Sequence, residues 1–137
     1  MRVKVSKSFF ADEFLHPDET DINKIDLRLI EVAQWLRDTL AKPVTINNYA
    51  TGGQYKESGL RSLTTTTGAK KSAHKEGKAI DIKVKGKTAK DVYEFCLKHS
   101  DVLYSMGIRE IEDSRYTATW THISTRGNWE RIKIIKP

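Results

Sequence analysis

The stretch SAHKEGKAIDIKV, Ser72 to Val84, sets a histidine and an aspartate seven residues apart with a glycine between them. Imidazole and carboxylate are ligands that zinc accepts, and a catalytic zinc commonly takes three protein ligands and leaves a fourth position for water. His74 stands at the end of a glycine-containing loop and Asp81 in the apolar run behind it; Gly77 permits a tight turn, so the two side chains can converge on one point. A third ligand has to come from elsewhere. Of the other histidines, His122 is best placed, on the β-branched and aromatic stretch TATWTHIS, which can lie beside the Asp81 strand. His16 and His99 sit in polar contexts at element ends. Other readings stay open: His74 alone fits a surface histidine among lysines. AIDIKV sets Asp81 on one face with Ala79 and Lys83, opposite Ile80 and Ile82, which also fits a strand with one exposed face.

The elements that must position these residues follow from pattern. Phe9, Phe10 and Phe14 mark a short packed turn. Asp21 or Thr20 can cap what comes next. Ile25, Leu29, Val32, Ala33, Leu36 and Leu40 recur at helical spacing, predicting a helix over 23–41 that stops before Pro43. PVTINNY alternates and predicts a strand; AIDIKV predicts a second. Between them, residues 51–72 hold four glycines and many hydroxyl side chains, a long loop of the kind that often carries function, with the TTTT run at its tip. Thr88 caps a second helix to about His99, with Val92, Tyr93, Cys96 and Leu97 inward. GIREIED and TATWTHIS predict a hairpin and WERIKII a last strand. Two helices and about five strands without βαβ alternation predict an α+β fold, a central and mostly antiparallel sheet flanked by helices.

Size and composition narrow the function classes. The chain of 137 residues suits one domain over 1–137 with one core; 38% hydrophobic and 31% charged residues suit a globular protein. No run approaches the roughly 20 apolar residues of a membrane span. MRVKVSKSFF lacks the apolar segment of a secretory signal, so the expectation is a protein made in the cytoplasm without one. The single cysteine, Cys96, excludes an internal disulfide and a cysteine-rich zinc site. A net charge of +6 favours anionic partners. The basic residues are scattered, however, and no nucleic-acid recognition motif is present, so nucleic acid is not expected.

SAHKEGKAIDI resembles the S-x-H-x-x-G-x-A-x-D signature of the zinc D-Ala-D-Ala metallopeptidases, which share a fold with the hedgehog signalling domain, and WTH (Trp120 to His122) resembles their second motif, W-x-H. The order of the two motifs agrees. VTINNYATGG, SGLR and FFADEF extend the resemblance over most of the chain, toward its phage endolysin-like branch. The resemblance implies zinc held by His74, Asp81 and His122. It further implies hydrolysis of peptidoglycan stem peptides, of the D-Ala-D-Ala carboxypeptidase or L-alanyl-D-glutamate endopeptidase type. Arg61, in SGLR, corresponds to the arginine that contacts substrate; Ser72 either hydrogen-bonds substrate or steadies the loop at His74.

These enzymes need a carboxylate to accept a proton from the attacking water. The family commonly places it three residues before the last histidine, or two after it. Thr119 and Ser124 stand at those positions here. If 108–113 and 118–124 pair as a hairpin, Glu112 can lie across from Thr119 or Trp120 and reach the site; Glu110 and Asp113 are the runners-up. Trp120 itself reads as a core residue in preference to a pocket wall. The expectation is a monomeric endolysin without a membrane span that reaches the wall after the host membrane is permeabilised. The rival is a phage structural protein, of virion or tail, that keeps the fold and the zinc but not the chemistry.

Overall fold

The computed structural model describes residues 2–136. Three helices, α1 (Leu27–Leu40), α2 (Ala89–Lys98) and α3 (Ser100–Ser105), accompany five strands: β1 (Val44–Thr45), β2 (Ala79–Val84), β3 (Glu110–Glu112), β4 (Thr121–Ser124) and β5 (Lys133–Ile135). The strands form one sheet in the order β1-β2-β4-β3-β5. Every pairing is antiparallel except that of β3 with β5. The architecture is therefore α+β with a mostly antiparallel sheet, as the patterning implies.

Local chemistry explains the boundaries. α1 starts at Leu27 and not at residue 23, because the Asp26 carboxylate accepts the Arg28 N–H as its cap; residues 22–24 form a separate 3-10 turn capped by Asp21. Thr88 and Asp91 close α2 with a reciprocal capping box. The PVTINNY strand is cut to Val44–Thr45. Past it, Asn47 takes over the hydrogen bonding that a strand partner would supply. Its N–H donates to Glu13 O, its Nδ2 donates to Leu15 O, and its Oδ1 accepts the Ser58 N–H. α3 was not anticipated: it buries only Leu103, too little to make a helical stripe in the sequence.

Strand alternation sorts the sheet into two faces. Ile80, Ile82, Ile111 and Ile123 join Leu29, Val32, Leu36, Val92, Cys96 and Leu103 in one hydrophobic cluster on the helix side. Asp81 and Lys83, His122 and Ser124, and Glu110 and Glu112 alternate with those isoleucines and so belong to the opposite face. That second face carries the polar chemistry.

Candidate metal centre

β2 and β4 pair in a register that sets Asp81 directly opposite His122. The Asp81 N–H donates to Ser58 O at 2.7 Å, so the strand is also tied to the loop that covers this face. His74 arrives on a 3-10 turn, Ala73–Glu76. Ser72 caps that turn by accepting the His74 N–H at 3.2 Å. Gly77 closes it with φ +70°, and a Cβ there would lie 2.0 Å from Lys24 O, so only glycine fits. The Gly77 carbonyl in turn accepts the Asp26 N–H at 2.7 Å, fastening the turn to the start of α1.

The three side chains meet. His74 Nε2 lies 3.2 Å from Asp81 Oδ1 and 3.1 Å from His122 Nδ1, and His122 Nδ1 lies 2.9 Å from the same Asp81 oxygen. All three residues are buried. His74 Nδ1 is 2.9 Å from the Gly59 carbonyl, which can only accept, so Nδ1 carries the hydrogen and Nε2 presents its lone pair. Burial holds the His74 pKa below its ordinary value and so favours the neutral ring, against the upward pull of Asp81. Burial alone would raise Asp81. The close approach of the two histidines reverses that and holds the carboxylate well below its usual range. A neutral imidazole lone pair therefore faces an ionised carboxylate at 3.2 Å, two acceptors that a cation between them would reconcile. The donor set, its protonation and the orienting Gly59 carbonyl all fit zinc.

The group opens on a cleft of about 690 Å³. Arg61, Ser72, Glu112 and Trp120 line it as well. Glu112 does not pair across from Thr119 or Trp120, as the hairpin reading had it. β3 and β4 match Glu110 with Ser124 and Ile111 with Ile123, and one more step of that register brings Glu112 opposite His122. Glu112 Oε2 is 4.0 Å from His122 Nδ1. Burial, with Asp81 adding to it and His122 and Arg61 opposing, raises its pKa above the ordinary glutamate value. The two runners-up are engaged elsewhere: Asp113 pairs with Arg115 at 2.8 Å, and Glu110 accepts Trp129 Nε1–H at 2.9 Å. Neither lines the cleft. Trp120 is no core residue; it is 37% exposed and forms part of the cleft wall.

Arg61 reaches the site from the loop. Its Nε donates to Glu57 O at 2.7 Å and its Nη2 to Asp81 Oδ2 at 3.3 Å. Gly68 packs against the guanidinium, where a Cβ would meet Nη1 at 2.5 Å. Two residues of this face were given no role from the sequence: Tyr55, on the cleft wall, and Lys83, noted only as sharing the Asp81 face. Lys83 follows Asp81 by two positions and so shares its face, a signal that was legible; Tyr55 gives none.

No curated protein and no solved structure matched the chain. The family model of Peptidase M15 matches residues 8–124, a span that holds His74, Asp81, His122 and Glu112. With that match over most of its length, and with a buried histidine–aspartate–histidine group able to bind a metal ion, the chain belongs to the peptidase M15 family, the zinc D-Ala-D-Ala metallopeptidases.

Proposed function

We propose that this protein hydrolyses peptidoglycan stem peptides, as an endolysin of phage or prophage origin, with zinc held by His74, Asp81 and His122 and with Glu112 as the base. The observation that carries the reading is the approach of Glu112 to His122, at 4.0 Å, inside one cleft. Zinc bound there supplies Lewis acidity, acidifying a water and polarising the scissile carbonyl. Glu112 accepts the proton of the attacking water as the new C–O bond forms, and returns it to the leaving amine as the C–N bond breaks. Its partly buried carboxylate, raised in pKa, is a stronger base than a solvated one. Asp81 keeps its charge, and the Gly59 carbonyl keeps the His74 ring aimed. Arg61 offers a planar cation to a substrate carboxylate or carbonyl, and Ser72 holds the His74 turn at the cleft edge. The net charge of +6 favours adsorption to an anionic wall.

Mass spectrometry of purified muropeptides after incubation with zinc-loaded protein tests this reading and distinguishes D-Ala–D-Ala from L-Ala–D-Glu cleavage. Glu112→Gln should lose turnover by about a hundredfold or more while keeping zinc. Equal turnover in that variant removes Glu112 from the mechanism. Single alanine variants of His74, Asp81 and His122 should each lose stoichiometric zinc. A wild type that holds zinc but cuts no muropeptide points instead to the structural-protein alternative, for which Thr119 in the family's usual acidic position speaks.

A further inference from the structure

Lys83 takes no part in the reaction just described, yet its ammonium is firmly placed on the cleft side of the sheet. Nζ donates to Ile46 O at 2.7 Å and to Ser58 Oγ at 2.9 Å. It also lies 3.9 Å from the centre of the Tyr55 ring. Among the described residues, no carboxylate comes within salt-bridge distance of it. A half-buried ammonium without a carboxylate is a costly group to keep, and the ring face is part of what compensates it. The ring in question lines the substrate cleft.

The backbone of Tyr55 is held by other means. Its N–H donates to Asn48 Oδ1 at 2.9 Å, and its carbonyl accepts the N–H groups of Asn48 and Tyr49 at 3.0 and 3.1 Å. Lys83 is therefore not needed to keep this loop in place. What it adds is the orientation of the ring and of the Ser58 hydroxyl, and the Ser58 carbonyl accepts the Asp81 N–H. We propose that Lys83 is a positioning residue for substrate: it fixes the Tyr55 ring as a wall of the cleft and so sets how tightly the peptide is held, without touching the reacting atoms. The proposal rests on the peptidase reading. A ring free to turn about its side-chain bonds loses that contact or has to be ordered again on binding, which weakens ground-state and transition-state binding alike. Such a loss raises KM and leaves kcat in place.

The test is a KM and kcat comparison on the muropeptide that the wild type cuts. Lys83→Met should raise KM about three- to thirtyfold, with kcat within about twofold of wild type and zinc still stoichiometric. Tyr55→Ala should raise KM by a similar factor, and the double variant should be no worse than either single one, because both remove one interaction. Lys83→Arg, which keeps a cation over the ring, should restore most of the affinity. Lys83→Gln keeps a donor for Ile46 O without the charge; it should behave as Lys83→Met does and serves if that variant folds poorly. Additive effects of the two single changes, or a fall in kcat at unchanged KM, overturn the proposal. Nuclear magnetic resonance of protein with 13C-labelled tyrosine reads the contact with no substrate at all. The Tyr55 ring signal should move in Lys83→Met and stay near its place in Lys83→Arg. An unmoved signal in Lys83→Met overturns the proposal even if the wild type is an active peptidase. A moved signal in a protein that cuts nothing keeps the contact and places the failure in the peptidase reading.

Discussion

Replacing Gly77 with alanine should damage stability and the metal centre together, because that glycine serves both. Its φ of +70° is a conformation that an L side chain adopts at a cost of about 1 kcal/mol or more. The new Cβ would stand 2.0 Å from Lys24 O and 3.0 Å from Ile25 Cα, both backbone atoms without a side chain's freedom to swing aside. The turn and the start of α1 must then separate by more than about 1 Å to reach an ordinary contact. That separation breaks the bond from the Asp26 N–H to Gly77 O, now 2.7 Å long and worth about 0.5–1.5 kcal/mol net. A loss of about 2–4 kcal/mol follows, a large share of the stability of a domain this size. Urea unfolding of the zinc-free protein measures it, as a midpoint lower by roughly 1–2 M. The same turn carries His74, so zinc affinity in a chelator competition should fall about tenfold or more. A midpoint within about 0.3 M of wild type would refute the steric argument. A full loss of stability with unchanged zinc affinity would refute the coupling of the turn to the site.

Further outcomes follow from the same geometry. Stripping zinc from protein saturated at a hundredfold excess over its dissociation constant removes about 2.7 kcal/mol, so the melting temperature should drop by about 10 °C; an unchanged melt after verified metal removal sinks the link between site and stability. Arg61→Lys keeps the charge but cannot hold Glu57 O and Asp81 Oδ2 at once, so KM should rise about tenfold with zinc retained, and unaltered kinetics would assign Arg61 no role with substrate. Burial pushes the Cys96 thiol up to about 12, so a disulfide reagent at pH 8 should label it only after unfolding. The thiol's folded pKa lies above its unfolded one near 9. Its contribution to stability is therefore whole below pH 9 and is lost as pH rises toward 12, and Cys96→Ala should flatten that alkaline decline.

Much of the site was legible because its residues sit in strongly patterned segments. AIDIKV alternates so clearly that β2 runs from Ala79 to Val84, with Asp81 on the face away from its isoleucine neighbours. Thr88 with Asp91 marks the start of α2 as plainly as a sequence can. His74 was harder, since only the spacing to Gly77 and Asp81 singles it out from the lysines beside it. What escaped depends on packing between distant segments. Glu112 lines the cleft, but not from the position opposite Thr119 or Trp120 that the hairpin reading gave it. A hairpin reading leaves its register free by several positions, and the matching of Ile111 with Ile123 in the core is what sets it beside His122. Trp120 carries a large apolar ring, which favours the interior on average. The core is already filled by isoleucines and leucines from the helix side, and the indole is left on the cleft wall. Tyr55 and Lys83 meet only because Asn47 and Asn48 fold the loop back over the sheet, an effect of two side-chain amides that no periodicity announces.

The pairing of β2 with β4 also bears on the order of events as the chain condenses. His74 and His122 are 48 positions apart and Asp81 and His122 are 41, so the donor set does not exist until the middle of the sheet has zipped together. An ion that meets its full complement of ligands only after that step cannot seed it. Its influence falls on the reverse journey: it slows the opening of the native state and leaves the speed of folding nearly untouched. Such a protein matures at a pace set by its own topology, and the metal decides how long it then lasts. The lifetime of the folded state is then governed by the rate at which that ion escapes.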